Sequence, residues 1–316
     1  MANTSENPEA YVLRDIVNEH MKEQRRARRW KVFFRLVLAA YAGVFFVMMF
    51  KDTSPRSMLE SQKHVAVVDV KGEISAASRQ GASAEHMIKG LRAAFEAENS
   101  VAVMVRLNSP GGSPVQSAQV YREINRLKEK HGKPVYAVAE DMAASGAYYI
   151  AAAADKIYAD PSSLVGSIGV IMGGFGFSGT MEMLGVERRV YTSGEHKAFM
   201  DPYSEENPET IKHAYHLLDG IYEEFVSDVR KGRGDRIQGT NEELFNGLIW
   251  TGTQAMELGL VDGLGSVEEI AMDEFDTEKV VSYSHTGNPL ERLAQRLSAS
   301  MAQEFSTFFS GSVQLR

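Results

Sequence analysis

The most continuous apolar block in this 316-residue chain lies near its start, VFFRLVLAAYAGVFFVMMF from Val32 to Phe50, with Arg35 as its one charge. A helix of that length spans about 30 Å, enough for a bilayer core if the Arg35 side chain snorkels to the interface. Arg25, Arg26, Arg28, Arg29 and Lys31 stand just ahead of it. A cleaved leader has an apolar region of about 7–15 residues before a small-residue cleavage site. The residues just before Lys51, MMF, are too bulky for such a site, and the chain then turns polar over KDTSPRSMLESQK, a linker at 51–63. The pattern is read as an uncleaved single-pass anchor at 32–50. The basic tail 1–31 stays cytoplasmic, and the rest of the chain lies beyond the membrane.

After the linker the apolar period changes. HVAVVDVKGEI, from His64, is a β-branched run of the kind a buried strand needs. SAEHMIKGLRAAFEAE follows, with Met87, Ile88, Leu91 and Phe95 at helical spacing. VAVMVRLNSPGG, Val101 to Gly112, is a second buried strand running into a turn. Ser113 then suits the cap and Pro114 the first position of a helix reaching about Lys130. KPVYAVAE predicts a third strand, Ser145 begins the next helix, and DKIYAD and VGSIGVIMGG add two short strands. Strands alternating with helices imply an α/β domain, 64–285, with right-handed crossovers. Farther on, 205–230 is helical, and TGTQAMELGLVDGLGSVEEIAMDEF gives two short helices about a Gly-bounded turn. The tail 286–316 places Leu290, Leu293, Leu297, Met301 and Phe305 on one face of a helix.

Composition narrows the choices. The chain is 44% hydrophobic and 24% charged, so a substantial core is expected. A net charge of -8 argues against a nucleic-acid binder working through bulk charge. The absence of cysteine removes disulfides, thiolate metal sites and a cysteine nucleophile. There is no HExxH, no EF-hand loop and no Cys/His cluster, so neither metal nor cofactor is expected. GGFGFSG, Gly173 to Gly179, lacks the Lys-Ser/Thr pair of a phosphate loop.

The candidate chemistry centres on AEDMAASGAYYIAAAADKIYAD, 139–160, where Ser145 sits in a bed of small apolar residues. The G-x-S-x-G elbow is absent, since Ala143 and Ala147 occupy the glycine positions. A hydroxyl needs a base before it attacks a carbonyl, and YTSGEHKAFMDPYS offers two neighbours, His196 and Lys197. Spacing does not choose between them. A lysine base must be neutral, which takes its pKa from about 10.4 toward 7 at a cost of more than about 4 kcal/mol; a dry apolar surface supplies that penalty. NSPGGS, 108–113, exposes amides at Gly111 and Gly112, and Gly146 offers another, as donors for a developing oxyanion.

NSPGGS, DMAASGAYYIAAAADKIYADPSSLVGSIGV and YTSGEHKAFMDPYS, in this order and spacing, resemble the S49 family of serine peptidases over about His64 to Leu264. The resemblance implies a ClpP/crotonase-like α/β spiral core, with the single transmembrane helix ahead of it and helices at the C-terminus. It places the nucleophile at Ser145, the general base at Lys197, oxyanion donors among Gly111, Gly112 and Gly146, and a lysine-orienting hydroxyl at Ser167. Ser162 and Ser163 are expected to be turn serines and His196 a bystander. The implied protein is a short-form endopeptidase on the outer side of the bacterial inner membrane, degrading remnant signal peptides and other apolar peptides. It works as a homo-oligomeric ring in which a lysine from one copy completes a neighbour's site. A crotonase-type acyl-CoA enzyme and a proteolytically dead membrane scaffold are the alternatives.

Overall fold

The computed structural model describes residues 8–50, 60–78 and 82–285, and it divides into two compact units, Met1–Met58 and Leu59–Arg316. The first unit is a single helix, α1 (Pro8–Phe50), that runs through the expected anchor without a break. Trp30, Phe33, Phe34, Leu36, Leu38, Tyr41 and Phe45 are exposed along it. Among the described residues no helix is long and apolar enough to cross a membrane. The side chains of 47–50, the last positions of the expected span, lie outside the described residues, as does the expected tail helix over 286–316.

The second unit is built on one parallel-rich sheet. Its strands are β1 (His64–Lys71), β2 (Ser100–Ser109), β3 (Val135–Ala144), β4 (Lys156–Ala159), β5 (Leu164–Gly166), β6 (Ile249–Thr251), β7 (Gly263–Leu264) and β8 (Val280–Ser282). Between the strands lie the helices α2 (Ala84–Glu96), α3 (Pro114–His131), α4 (Gly146–Ala151), α5 (Ser178–Met183), α6 (Pro208–Arg233), α7 (Asn241–Leu244), α8 (Gly252–Glu257) and α9 (Val267–Phe275). The main path runs β6-β5-β3-β2-β1-β8, parallel throughout except for β5 with β6. The centre is β1, β2 and β3, whose Val- and Ala-rich sequences are buried on both faces, as parallel strands covered by helices must be. One face meets α2, α3 and α4 through residues such as Val68, Val105, Leu91, Ile124 and Ile150. The other face packs Val67, Met104 and Val138 against Ile270 and Ala271 of α9.

The helix starts follow their caps. The Ser83 hydroxyl caps α2, Ser113 accepts from Gln116 N with Pro114 at the first position of α3, and Asn207 accepts from Glu209 N ahead of α6.

β3 is longer than the sequence pattern indicates and divides its partners. Tyr136 to Ala139 pair with β4, while Met142 to Ala144 pair with β5. The split is pinned by the buried Ser163, whose hydroxyl donates to the carbonyls of Ala139 and Glu140 and accepts from Asp160 N at 3.0 Å. Ser162 N donates to Asp160 Oδ1 at 2.9 Å. Both serines therefore serve the turn. The strand expected over VGSIGVIMGG ends after Gly166, because Gly166 (φ 108) and Ser167 (φ 51) turn the backbone into the left-handed region. β6 and β8, each only a few residues long, fell below what periodicity reveals.

Candidate active site

Ser145, the expected nucleophile, is held in a strained turn. Ser145, at the end of β3, has φ 52 and ψ -121, which costs a side-chain-bearing residue about 1–3 kcal/mol. Two hydrogen bonds offset that cost: Ser145 N donates to Gly166 O at 2.7 Å, and Tyr149 N donates to Ser145 O at 3.0 Å. The short helix that follows is bolted at both of its tyrosines. Tyr148 donates to Leu260 O at 2.7 Å and Tyr149 to Asp228 Oδ2 at 2.6 Å, both buried. Burial pushes both phenols well above their usual range, and for Tyr149 the Asp228 carboxylate adds to it. They remain neutral donors. Phe225 of α6 stacks on Tyr149 at 4.7 Å. The alanines Ala143, Ala144, Ala147, Ala151 and Ala152 are all buried, so the small residues noted in the sequence are the floor on which this turn rests.

The glycine turn of NSPGGS lies directly over Ser145. A Cβ added at Gly111 (φ 99) would stand 2.7 Å from Ser145 Cβ, and one at Gly112 (φ 145) would run into the Ile74 carbonyl. Ile74 N donates to Gly111 O and Ser113 N donates to Ile74 O, each at 2.8 Å, so Ile74, just past the end of β1, stitches this turn in place. Gly111 N is already engaged with Ser109 Oγ at 3.1 Å. Among the described residues, no acceptor within the chain pairs with the amides of Gly112 or Gly146. The Gly112 nitrogen lies 3.4 Å from where a Gly146 Cβ would stand. Of the two amides that the sequence left open, Gly112 is the unengaged one.

Ser167 is brought to the same place. Ala144 pairs with Gly166 across β3 and β5, so Ser145 and Ser167 follow that pair side by side, both with left-handed φ. Ser167 N donates to Leu248 O at 2.7 Å.

Lys197 is not brought there. It sits in an exposed turn, its amide donating to Gly194 O at 3.2 Å, and no hydrogen bond or ion pair joins it to Ser145 within the described residues. The segment carrying it, 171–207, is largely exposed, with Ile171 and Tyr191 each 92% accessible. It folds back on itself through Phe177 N donating to Pro202 O at 2.7 Å, stacking of Phe177 on Tyr203 at 5.7 Å, and the Arg188–Asp201 ion pair. His196 shares the turn. With Glu195 and Glu209 it places one ligand atom each within 4.8 Å, but all three are exposed, so no buried shell orients them toward an ion. A cavity of about 450 Å³ opens at the far end of α4, among Tyr121, Lys128, Ala153, Asp155, Asp228 and Lys231. Its charges are already paired as Lys128–Asp155 and Lys231–Asp228.

Sequence reasoning missed Ser109, Ile74, Tyr149 and Asp228. The Ser-Pro-Gly order of NSPGG is a turn signal that could have found the first; the others act through contacts distant in sequence.

The sequence profile of Peptidase family S49 matches residues 127–281. Over 222 residues the chain is 42% identical to a protein named Na(+)/H(+) antiporter NhaA from Brucella melitensis, covering 69% of this chain and 30% of that protein. It is 37% identical over 215 residues to an Enterococcus faecium protein provisionally named signal peptide peptidase SppA, covering 67% of this chain and 61% of the relative. A Synechocystis protein with a provisional protease name is 35% identical over 209 residues, covering 66% of this chain and 72% of its own length. The chain thus spans under a third of the antiporter-named relative and about three fifths of the enterococcal one.

Proposed function

The chain belongs to peptidase family S49, and from that premise we propose that it is a membrane-anchored serine endopeptidase with a ClpP/crotonase-like core and a Ser145–Lys197 dyad. The observation that carries the reading is the left-handed Ser145, with the unengaged amides of Gly112 and Gly146 beside it and Ser167 adjacent.

In this reading Lys197 arrives from a neighbouring copy of the chain. The exposed 171–207 segment, apolar at Ile171, Phe175, Met183 and Tyr191, supports such a contact, because large exposed apolar patches mark interaction surfaces. The neutral amine takes the Ser145 proton while Oγ bonds to the peptide carbonyl carbon. The carbonyl electrons move onto oxygen, where the Gly112 and Gly146 amides receive them. The tetrahedral adduct collapses with cleavage of the C–N bond, and the ammonium of Lys197 gives its proton to the leaving amine. Water, deprotonated by the same amine, then releases the acid and restores Ser145. Ser167 orients the amine.

Extended apolar peptides, signal-peptide remnants among them, are the substrates in this reading. The apolar side chains along α1 and the basic cluster before them support anchoring in the inner membrane with the domain on its outer side.

The test uses the full chain in detergent. Ser145→Ala and Lys197→Ala each lower cleavage of an apolar peptide by about 10³-fold or more, and mixing the two recovers part of it. A fully active Ser145→Ala ends the peptidase reading. Activity retained in Lys197→Ala but lost in His196→Ala moves the base to the histidine. Two inactive variants with no recovery on mixing confine the site to one chain.

A further inference from the structure

The peptidase reading needs amides that are free to face an oxyanion, and the structure shows how one of them is kept free. The turn after β2 carries two glycine N–H groups in succession, Gly111 and Gly112, and both cannot point the same way. Ser109, the last residue of β2, is fully buried, and its hydroxyl oxygen accepts from Gly111 N at 3.1 Å. On the other side of the turn, Ile74 N takes Gly111 O, and Ile74 O takes Ser113 N. Of the three main-chain N–H groups from Gly111 to Ser113, those of Gly111 and Ser113 are thereby engaged and that of Gly112 has no partner among the described residues. That amide stands beside Gly146, the residue after the nucleophile.

We propose that Ser109 is a positioning residue, whose hydroxyl locks Gly111 N–H away so that Gly112 N–H, paired with Gly146 N–H, forms the oxyanion hole. This rests on the peptidase reading above. Pro110 fits the role, because it has no N–H of its own to compete for the hydroxyl and its fixed φ holds the short span between Ser109 and Gly111. Once the hydroxyl is gone, Gly111 has an unsatisfied buried donor and a backbone free enough to rotate. The turn then populates conformers in which Gly112 N–H leaves the hole. Losing one oxyanion donor costs about 10²–10³ in kcat, so a donor present for only part of the time costs less.

The test compares Ser109→Ala with wild type in the full chain, with active sites counted by a serine-directed covalent label. A drop in kcat of about 10- to 100-fold is expected. KM should stay within about twofold, and a peptide aldehyde, whose adduct carries the oxyanion, should weaken by about the same factor as kcat. A merely structural role would lower the count of labelled sites without that split. Should Ser109→Ala fail to fold, Ser109→Thr against Ser109→Val makes the same comparison at equal volume: Thr active and Val impaired supports the assignment, and equal rates overturn it. Hydrogen exchange of the segment 108–113 is read in parallel and does not depend on activity. Faster exchange at Gly111 in Ser109→Ala is expected, and unchanged protection overturns the proposal. A wild-type protein that cleaves nothing and takes no label at Ser145, yet shows the exchange change, faults the peptidase reading and not the role of Ser109 in the turn.

Discussion

Ser145 and Lys197 stand on segments built by opposite rules. The turn at Ser145 is surrounded. Its strand is buried on both faces, its helix is bolted by two phenols, and a glycine turn presses on it from above. The 171–207 segment touches little besides itself, and its largest apolar side chains face solvent. A strained backbone persists only where its surroundings over-determine it, which explains why the serine half is set among buried residues. A lysine that must lose its charge needs burial, yet within one chain Lys197 lies on an exposed turn. In the proposed reading one half of the site is finished in the fold and the other by a second copy of the chain.

That contrast can be broken at either end. The largest effect is expected on the exposed segment: Ile171→Asp and Phe175→Asp weaken assembly by about 2 kcal/mol or more, the cost of an interface anchor, and activity falls with it. Thermal unfolding of the dissociated chain stays put, because both side chains are largely exposed. Sedimentation and peptide cleavage over a dilution series check this, and full assembly with both aspartates would assign the apolar surface to something other than a second copy.

The next effect is on the buried frame. Gly232 of α6 lies so close to Ala152, at the end of the segment carrying Ser145, that a Cβ would strike the Ala152 carbonyl. Gly232→Ala should destabilise the domain by about 1–3 kcal/mol, as overpacking does, with assembly of the surviving folded fraction intact. Denaturant midpoints measure it, and an unchanged midpoint would mean that α6 is free to move away from α4.

The smallest effect is electrostatic and confined to acid. The Arg126 guanidinium, aided by Arg92, holds the Glu123 carboxyl down to about 2 against an ordinary 4.5, although burial opposes it. A depressed carboxyl stabilises the fold fully above about 4.5 and loses that contribution as pH falls through about 2. Glu123→Gln should therefore lower the thermal midpoint at pH 7 and match wild type near pH 2. A gap that stays constant with pH would show that Glu123 contributes beside Arg92 and Arg126 through packing alone.

Much of the frame could be read from the sequence because its signals are local. The Val-rich runs at His64 and Val101 became the two central strands, Ser113-Pro114 capped α3, and Asn207-Pro208 opened α6. The small residues around Ser145 and the glycines of NSPGG were visible as types, and the fold brings Ser145, Gly111, Gly112, Gly146 and Ser167 together. The early end of β5 was hidden, because a run such as VGSIGV has strand composition and only its left-handed φ values break it.

By itself the sequence determined the alternation of the longer strands and helices, the cap of α3, and the residue types available for acyl transfer, all of which depend on neighbours within a few positions. Only the tertiary structure decided which glycine amide is free, because Gly111 and Gly112 differ solely in what Ser109 and the distant Ile74 hold. It also decided that Tyr149 is tied to Asp228 and that β3 divides at Ser163. A hydrogen bond is chosen by geometry in space, and residues far apart along the chain acquire that geometry only once the sheet has formed.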